Sequence, residues 1–197
     1  MKVGAVLLAS GSGSRFGSNK LLHEVQGLPM ICRAFAALPA GLFDRAAVVS
    51  SYPEILTLAE KHGYLAIPNP GAAEGQSASL RLGLSQMLDM DGVLFSVCDQ
   101  PWLGRKSVER LLEQFHAFPD QICALGWQGK RGSPVVFPAD AFHDLLELTG
   151  DQGGRKIIQA NACRLHLVEA DCPDELQDVD TPLDLKRLIQ EKEEEML

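Results

Sequence analysis

Cations and glycines gather in one early loop, and lone aspartates stand where apolar runs end. The stretch Leu7-Leu8-Ala9-Ser10-Gly11-Ser12-Gly13-Ser14-Arg15-Phe16-Gly17-Ser18-Asn19-Lys20 follows a buried-strand pattern directly. Backbone N–H groups among small residues can turn towards an anion and form a nest for phosphate. Arg15 can pair bidentately with phosphate oxygens, and Lys20 adds a point charge. Further on, Cys98-Asp99-Gln100-Pro101 ends the apolar run 93–97. A carboxylate at the C-terminal end of a parallel strand faces the crevice of an open sheet. Beside a triphosphate it is the expected ligand for Mg²⁺; its other role would be to cap the helix after Pro101.

These residues need rigid elements to hold them. Residues 3–9 are continuously apolar, as in a strand buried on both faces, and 46–49 and 93–97 read the same way. Helical spacing covers 30–38 and 55–62, with Pro29 where a helix can start. Residues 77–88 place Leu80, Leu84 and Leu88 on one face, and 108–115 read as another helix. The alternation implies an α/β fold with a doubly wound, mostly parallel sheet, Rossmann-like, and its site at the strand C-termini. After Leu125 the rhythm changes. Residues 126–132 are glycine-rich and polar, 135–137 form a short apolar run, and helices are expected over 139–148 and 154–160. A small acceptor-side insertion covering the cleft is expected there. Residues 178–184 lead into a last helix, 183–192, with 191–195 as a solvated, fraying end. The 197 residues suit a single domain.

Composition narrows the function. Net charge is −8, which argues against a nucleic-acid binder held by a basic surface. A local Arg/Lys cluster still admits an anionic substrate. No apolar run is long enough to span a bilayer, so no membrane partner and a cytoplasmic location are expected. The five cysteines form no zinc or redox spacing, and the scattered histidines form none for a triad or a metal. The loop is not a dinucleotide fingerprint, because Phe16 stands where its third glycine belongs, and it lacks the Gly-Lys-Ser/Thr of a Walker loop.

The run LLASGSGSRFGSNKLL resembles the L-A-A-G-x-S-x-R-M-G-x-x-K-L-L motif of the MobA-like nucleotidyltransferases, and is most similar to their molybdenum cofactor cytidylyltransferase branch. Ser10 and Phe16 depart from the motif, one staying small and the other apolar. The resemblance implies that Leu8, Ala9, Ser10, Gly11 and Gly13 wrap a nucleoside triphosphate. Arg15 and Lys20 would meet its phosphates, with Lys20 at the α-phosphate. Residues 69–84 are similar to the family's N-P-x-x-x-x-G-x-x-x-S-L-x-x-G-L segment, which makes Asn69, Gly75, Ser79 and Leu80 nucleotide contacts, although an N-cap serine alone would explain the serines. Cys98-Asp99-Gln100-Pro101 resembles its metal-binding G-D-Q-P or C-D-Q-P.

Three later motifs follow in family order. Lys130-Arg131-Gly132-Ser133-Pro134-Val135 resembles R-G-H-P-V on the acceptor side, with Ser133 in the usual His position and Arg131 able to meet an acceptor phosphate or to be a solvated loop charge. Residues 149–156 resemble G-D-x-G-A-R, which makes Asp151 an acceptor contact, or simply a helix cap. Asp178-Val179-Asp180-Thr181-Pro182-Leu183-Asp184-Leu185 resembles D-I-D-T-P-E-D-L, which makes Asp180 a second metal ligand, or a cap. The resemblance implies transfer of CMP from CTP to the terminal phosphate of molybdopterin cofactor, with Mg²⁺ and release of pyrophosphate, and a molybdenum hydroxylase is compatible as a partner. Ser10 leans towards CTP, because the guanylyl branch tends to have Gly-Gly there. The alternatives are a guanylyl or a sugar- or polyol-phosphate nucleotidyltransferase of the same fold, an NAD(P)-dependent oxidoreductase, and a non-catalytic cofactor carrier. NADPH binding would mark the oxidoreductase, and catalysis is favoured over carriage by intact Lys20 and Asp99.

Overall fold

The computed structural model describes residues 1–11, 16 and 19–191, and the backbone of 192–195. Gly13 and Arg15 lie outside the described residues.

Seven strands form one sheet. The apolar strand β1 (Val3–Leu8) lies at its centre, between β4 (Arg45–Ser50) and β6 (Gly92–Val97), parallel to both. Strand β5 (Leu65–Pro68) extends one edge in parallel. On the other side β8 (Lys130–Pro138) runs antiparallel between β6 and β7 (Ile122–Trp127), and β9 (Leu165–Glu169) closes that edge parallel to β7. The order is β5-β4-β1-β6-β8-β7-β9. A two-residue hairpin, β2 (Glu24–Val25) and β3 (Leu28–Pro29), lies apart. The expected mostly parallel α/β sheet is therefore present.

Period-two alternation in β1 sorts its side chains between two cores. Val3, Ala5 and Leu7 join the core built with α1 (Met30–Ala37), α2 (Pro53–Lys61) and α4 (Arg105–Ala117). Val6 joins the opposite core, with α3 (Gln76–Leu84), α5 (Phe142–Leu146) and α6 (Arg155–Ala160). Helix α3 crosses β1 so closely that a Cβ on Gly83 would lie 2.2 Å from Val6 Cγ1. Gly83→Ala is expected to destabilise the protein by about 2 kcal/mol through overpacking, despite the better helix propensity of alanine. A melting temperature equal to wild type would contradict that close approach.

Several elements differ from the spacing-based expectation. Helix α3 ends at Leu84, short of residue 88, and Leu88 is exposed. The chain leaves in turns, through Gln86 N–H to Gly83 O and Met87 N–H to Leu84 O. This buries Met87 and Met90 against Gly4, whose missing side chain makes the room. The glycine-rich segment after Leu125 takes the form of a β7–β8 hairpin built into the sheet. Gln128 and Gly129, at φ 47° and 77°, make its two-residue turn, and the apolar run 135–137 is the buried end of β8. The expected helix 139–148 is a single 3₁₀ turn, Ala139–Ala141, followed by α5. The last helix, α7 (Pro182–Glu195), runs through the charged end expected to fray. Among the described residues no helix is long and apolar enough to cross a membrane.

Candidate active site

Sheet order reverses at β1: the chain passes from β1 to β4 on one side and later to β6 on the other. A crevice opens at such a point, outside the strand C-termini. Here it is a cleft of ≈ 610 Å³ lined by residues 8–11, Lys20, Tyr52, Gly75, Gln76, Ser79 and Asp99, among others.

One wall is a hydrogen-bonded seam between the ends of β1, β4 and β5. Ala9 N–H donates to Val49 O at 2.9 Å, and the Ser10 hydroxyl donates to the same carbonyl at 3.2 Å. The Ser50 hydroxyl donates to Ala9 O at 2.9 Å. Asn69, buried behind the cleft, donates from Nδ2 to Ser79 Oγ at 2.8 Å and to Ser10 Oγ at 3.3 Å. Ser10 and Ser79 thus line the cleft, while Asn69 fixes both hydroxyls from the second row. Gly11 stands exposed, and no described residue lies within 4 Å of where a Cβ would point. Phe16, the departure from the family motif, packs against the core and beside the His23 ring, at 5.1 Å between centroids.

Lys20 is aimed from below. Asn19 accepts from Leu21 N–H at 3.1 Å and starts a 3₁₀ turn, Lys20–Leu22, that buried Leu21 anchors. The ammonium of the Lys20 side chain, which is only 12% exposed, contacts Asp99 Oδ2 at 2.5 Å. It also donates to Val179 O at 3.2 Å and lies 3.6 Å from Asp180 Oδ1. Neither aspartate is spent on a helix cap. Helix α4 is preceded by Gly104, and the start of α7 is held by a reciprocal pair in which Asp184 accepts from Thr181 N–H and donates its own N–H to the Thr181 hydroxyl. Partial burial, then the Asp99 and Asp180 carboxylates, push the Asp178 carboxyl above its ordinary range, against a hydrogen bond from Gln100 and the Lys20 charge. Burial, then Asp99, pushes the neighbouring Cys98 thiol up, so it stays protonated and is no nucleophile.

The donors suit a hard divalent cation. Asp99 Oδ1 is buried with no hydrogen-bond partner among the described residues, and Asp180 is 60% exposed towards solvent. Among the described residues no three His, Cys, Asp or Glu side chains form a cage. Mg²⁺ keeps water and takes one or two carboxylates plus substrate phosphates, and Asp99 and Asp180 could supply those carboxylates.

A second cavity of ≈ 300 Å³ adjoins the first and shares Leu8, Gln76, Val97 and Asp151 with it. Its apolar side includes Leu80, Phe95, Phe137 and Ile158, and its polar side Arg131, Ser133 and Arg155. Arg131 donates to Gly132 O at 3.3 Å, and neither guanidinium forms an ion pair among the described residues. Burial, then the nearby Arg155 charge, lowers the Arg131 pKa. Two like charges left facing one cavity call for an anion between them. Asp151 does not cap α6, which has no side-chain cap. It lies against Gly75, whose φ of 100° and tight fit to Gly150 (2.4 Å from a would-be Cβ) both require glycine. Ser77 N–H donates to Gly150 O at 3.1 Å, so the 149–154 loop rests on the start of α3 and divides the two cavities.

Of the residues singled out in the sequence, the nucleotide-side cleft gathers Leu8, Ala9, Ser10, Gly11, Lys20, Gly75, Ser79, Asp99 and Asp151. Asp180 reaches it through Lys20. Leu80 and Arg131 line the neighbouring cavity instead. Tyr52 and Gln76 also line the two cavities and carried no role in the sequence, and Arg155, in the run 149–156 that resembles the acceptor-side G-D-x-G-A-R, lines the second.

A doubly wound sheet with a nucleotide-sized cleft at its switch point, a lysine and two carboxylates defines a nucleotide-handling α/β enzyme. Comparison with known proteins makes the class specific. The chain belongs to the family of MobA-like NTP transferase domains, whose model matches residues 5–167, and is a nucleotidyltransferase. It is 27% identical over 151 residues to a probable molybdenum cofactor guanylyltransferase of Synechococcus elongatus, covering 72% of this chain and 77% of that protein. It is 26% identical to the purine catabolism protein PucB of Bacillus subtilis, covering 90% and 91% of the two chains. In fold it is similar to a nucleotidyl transferase from Methanothermobacter thermautotroptrophicus, with a TM-score of 0.81 at 24% identity over 98% and 99% of the chains.

Proposed function

We propose that the protein transfers CMP from CTP to the terminal phosphate of a molybdopterin-type acceptor, using Mg²⁺ and releasing pyrophosphate. The observation that carries this reading is the pairing of two adjoining cavities, one with the Lys20–Asp99–Asp180 cluster and one with two guanidiniums that form no ion pair among the described residues, over an apolar floor. The first suits a triphosphate and its metal. The second suits a phosphorylated acceptor with a flat ring system whose face can pack on apolar side chains.

In the reaction, an oxygen of the acceptor phosphate attacks the α-phosphorus in line. The new P–O bond forms as the bond to the bridging oxygen of pyrophosphate breaks. Lys20 meets the charge that develops on the α-phosphate, and Arg15 is assigned the same duty towards the leaving pyrophosphate. Bound Mg²⁺, held by Asp99 and Asp180, would supply charge neutralisation on the phosphates. Arg131 and Arg155 hold the acceptor phosphate and Phe95 and Phe137 its ring.

CTP is favoured because the Ser10 hydroxyl, fixed by Val49 O and Asn69, projects where a glycine would leave more room for a base. GTP is the second reading, supported by the curated relatives named as guanylyltransferases. Pyrophosphate release with each of the four NTPs and Mg²⁺, with and without molybdenum cofactor, tests both. CTP-specific, acceptor-dependent release supports the proposal, GTP-specific release favours the second reading, and no release with any NTP contradicts both. Arg155→Ala is expected to raise the acceptor KM about tenfold or more and leave the nucleotide KM unchanged. An unchanged acceptor KM would remove Arg155 from that cavity's work.

A further inference from the structure

Gln100 follows the proposed metal ligand Asp99 in sequence, yet its side chain lines neither cavity. It is 4% exposed. Its Nε2 donates to Asp178 Oδ1 at 2.9 Å and to Leu176 O at 3.3 Å. Both contacts fall on the 176–180 segment, which belongs to no strand and brings Asp180 back to the cleft from the far end of the chain. One backbone bond, Val179 N–H to Asp99 O at 2.9 Å, joins the same segment to the same place.

We infer that Gln100 is a positioning residue for the metal carboxylates: its amide straps the 176–180 segment to the end of β6 and so sets Asp180 beside Asp99. The inference rests on the proposed metal role of those two aspartates. Their relative placement cannot come from sheet register, because Asp99 follows β6 and Asp180 precedes α7. Of the other ties, the Val179 N–H bond holds the backbone at one point, and the Lys20 contact to Val179 O comes from a side chain that must also serve the substrate. A carboxylate at position 100 would face two acceptors, Asp178 Oδ1 and Leu176 O, and push the strap away.

That sign makes the test sharp. By Coulomb's law alone, an added negative charge near a cation site tightens cation binding. The strap predicts the reverse. Mn²⁺ binding to the full chain, titrated by electron paramagnetic resonance in the presence of a CTP analogue with a methylene bridge between the α- and β-phosphates, reads the metal without turnover. Gln100→Glu and the neutral, similarly sized Gln100→Met are both expected to weaken Mn²⁺ binding about tenfold or more, Gln100→Glu the more. Affinity for the analogue without metal stays within about twofold, since no direct contact is lost. Asp178→Asn added to Gln100→Glu supplies a donor in place of the lost one and restores part of the affinity. Should Gln100→Glu not fold, Gln100→Met decides. Wild-type or tighter Mn²⁺ binding in the folded variants overturns the inference. Asp99→Asn separates the two readings: if it abolishes Mn²⁺ binding while Gln100→Met does not weaken it, the strap alone fails. If Asp99→Asn binds Mn²⁺ as wild type does, the metal assignment fails and the strap with it.

Discussion

Asp99→Ala lowers the rate of nucleotidyl transfer by about 1000-fold or more and leaves the protein folded. Both halves of this expectation come from the same carboxylate. One of its oxygens is bonded to Lys20, and the other is buried with no partner among the described residues. A buried, unpaired acceptor costs folding free energy, so its removal offsets part of what the lost ion pair contributed. Sheet and core do not depend on it, because β6 ends at Val97 and Cys98 remains buried behind it. Steady-state kinetics with a thermal melt checks the pair of outcomes. Substantial turnover in a folded variant would sink the metal assignment.

Lys20→Met loses turnover on a similar scale and, unlike Asp99→Ala, also loses stability. Its ammonium is the cation shared by Asp99 and Asp180, and it also binds Val179 O. Without it the largely buried Asp99 carboxylate has lost its counter-charge, which costs about 3 kcal/mol in comparable partners. The asymmetry is the useful part. Asp99→Ala added to Lys20→Met should recover stability, because the double variant no longer buries an unpaired carboxylate. Chemical denaturation of the two single variants and the double variant measures this coupling. A double variant no more stable than Lys20→Met would contradict the ion-pair account.

The central strands and the chemistry at their ends were legible because each is written locally. A continuous apolar run marks β1, and Asp99 follows another such run directly. Lys20 stands in a motif with fixed spacing. Edge strands left a weaker mark: β5 has four residues, two of them exposed, and its apolar run is too short to stand out. Helical periodicity overran the end of α3 because Leu88 keeps the phase, while the close approach of Met87 and Met90 to Gly4 decides the path of the chain. The polar stretch after Leu125 looked like an interruption because its hairpin partner was not visible in the local pattern. Tertiary positioning was the least legible. Gln100 and Asp178 are 78 residues apart, and Asn69 meets Ser10 across 59. Capping was equally undecidable for Asp151 and Asp180 until Gly154 and Thr181 were seen to hold those places.

The measurement that bears most directly on the central claim follows the α-phosphorus itself. CTP and GTP, each radiolabelled at that atom, are incubated in turn with the protein, Mg²⁺ and molybdenum cofactor, and the products are separated and weighed by mass spectrometry. The account predicts that label from CTP moves into a dinucleotide form of the acceptor, with one unlabelled pyrophosphate released per transfer. Label that remains in the triphosphate, or that appears only as free CMP, would contradict it.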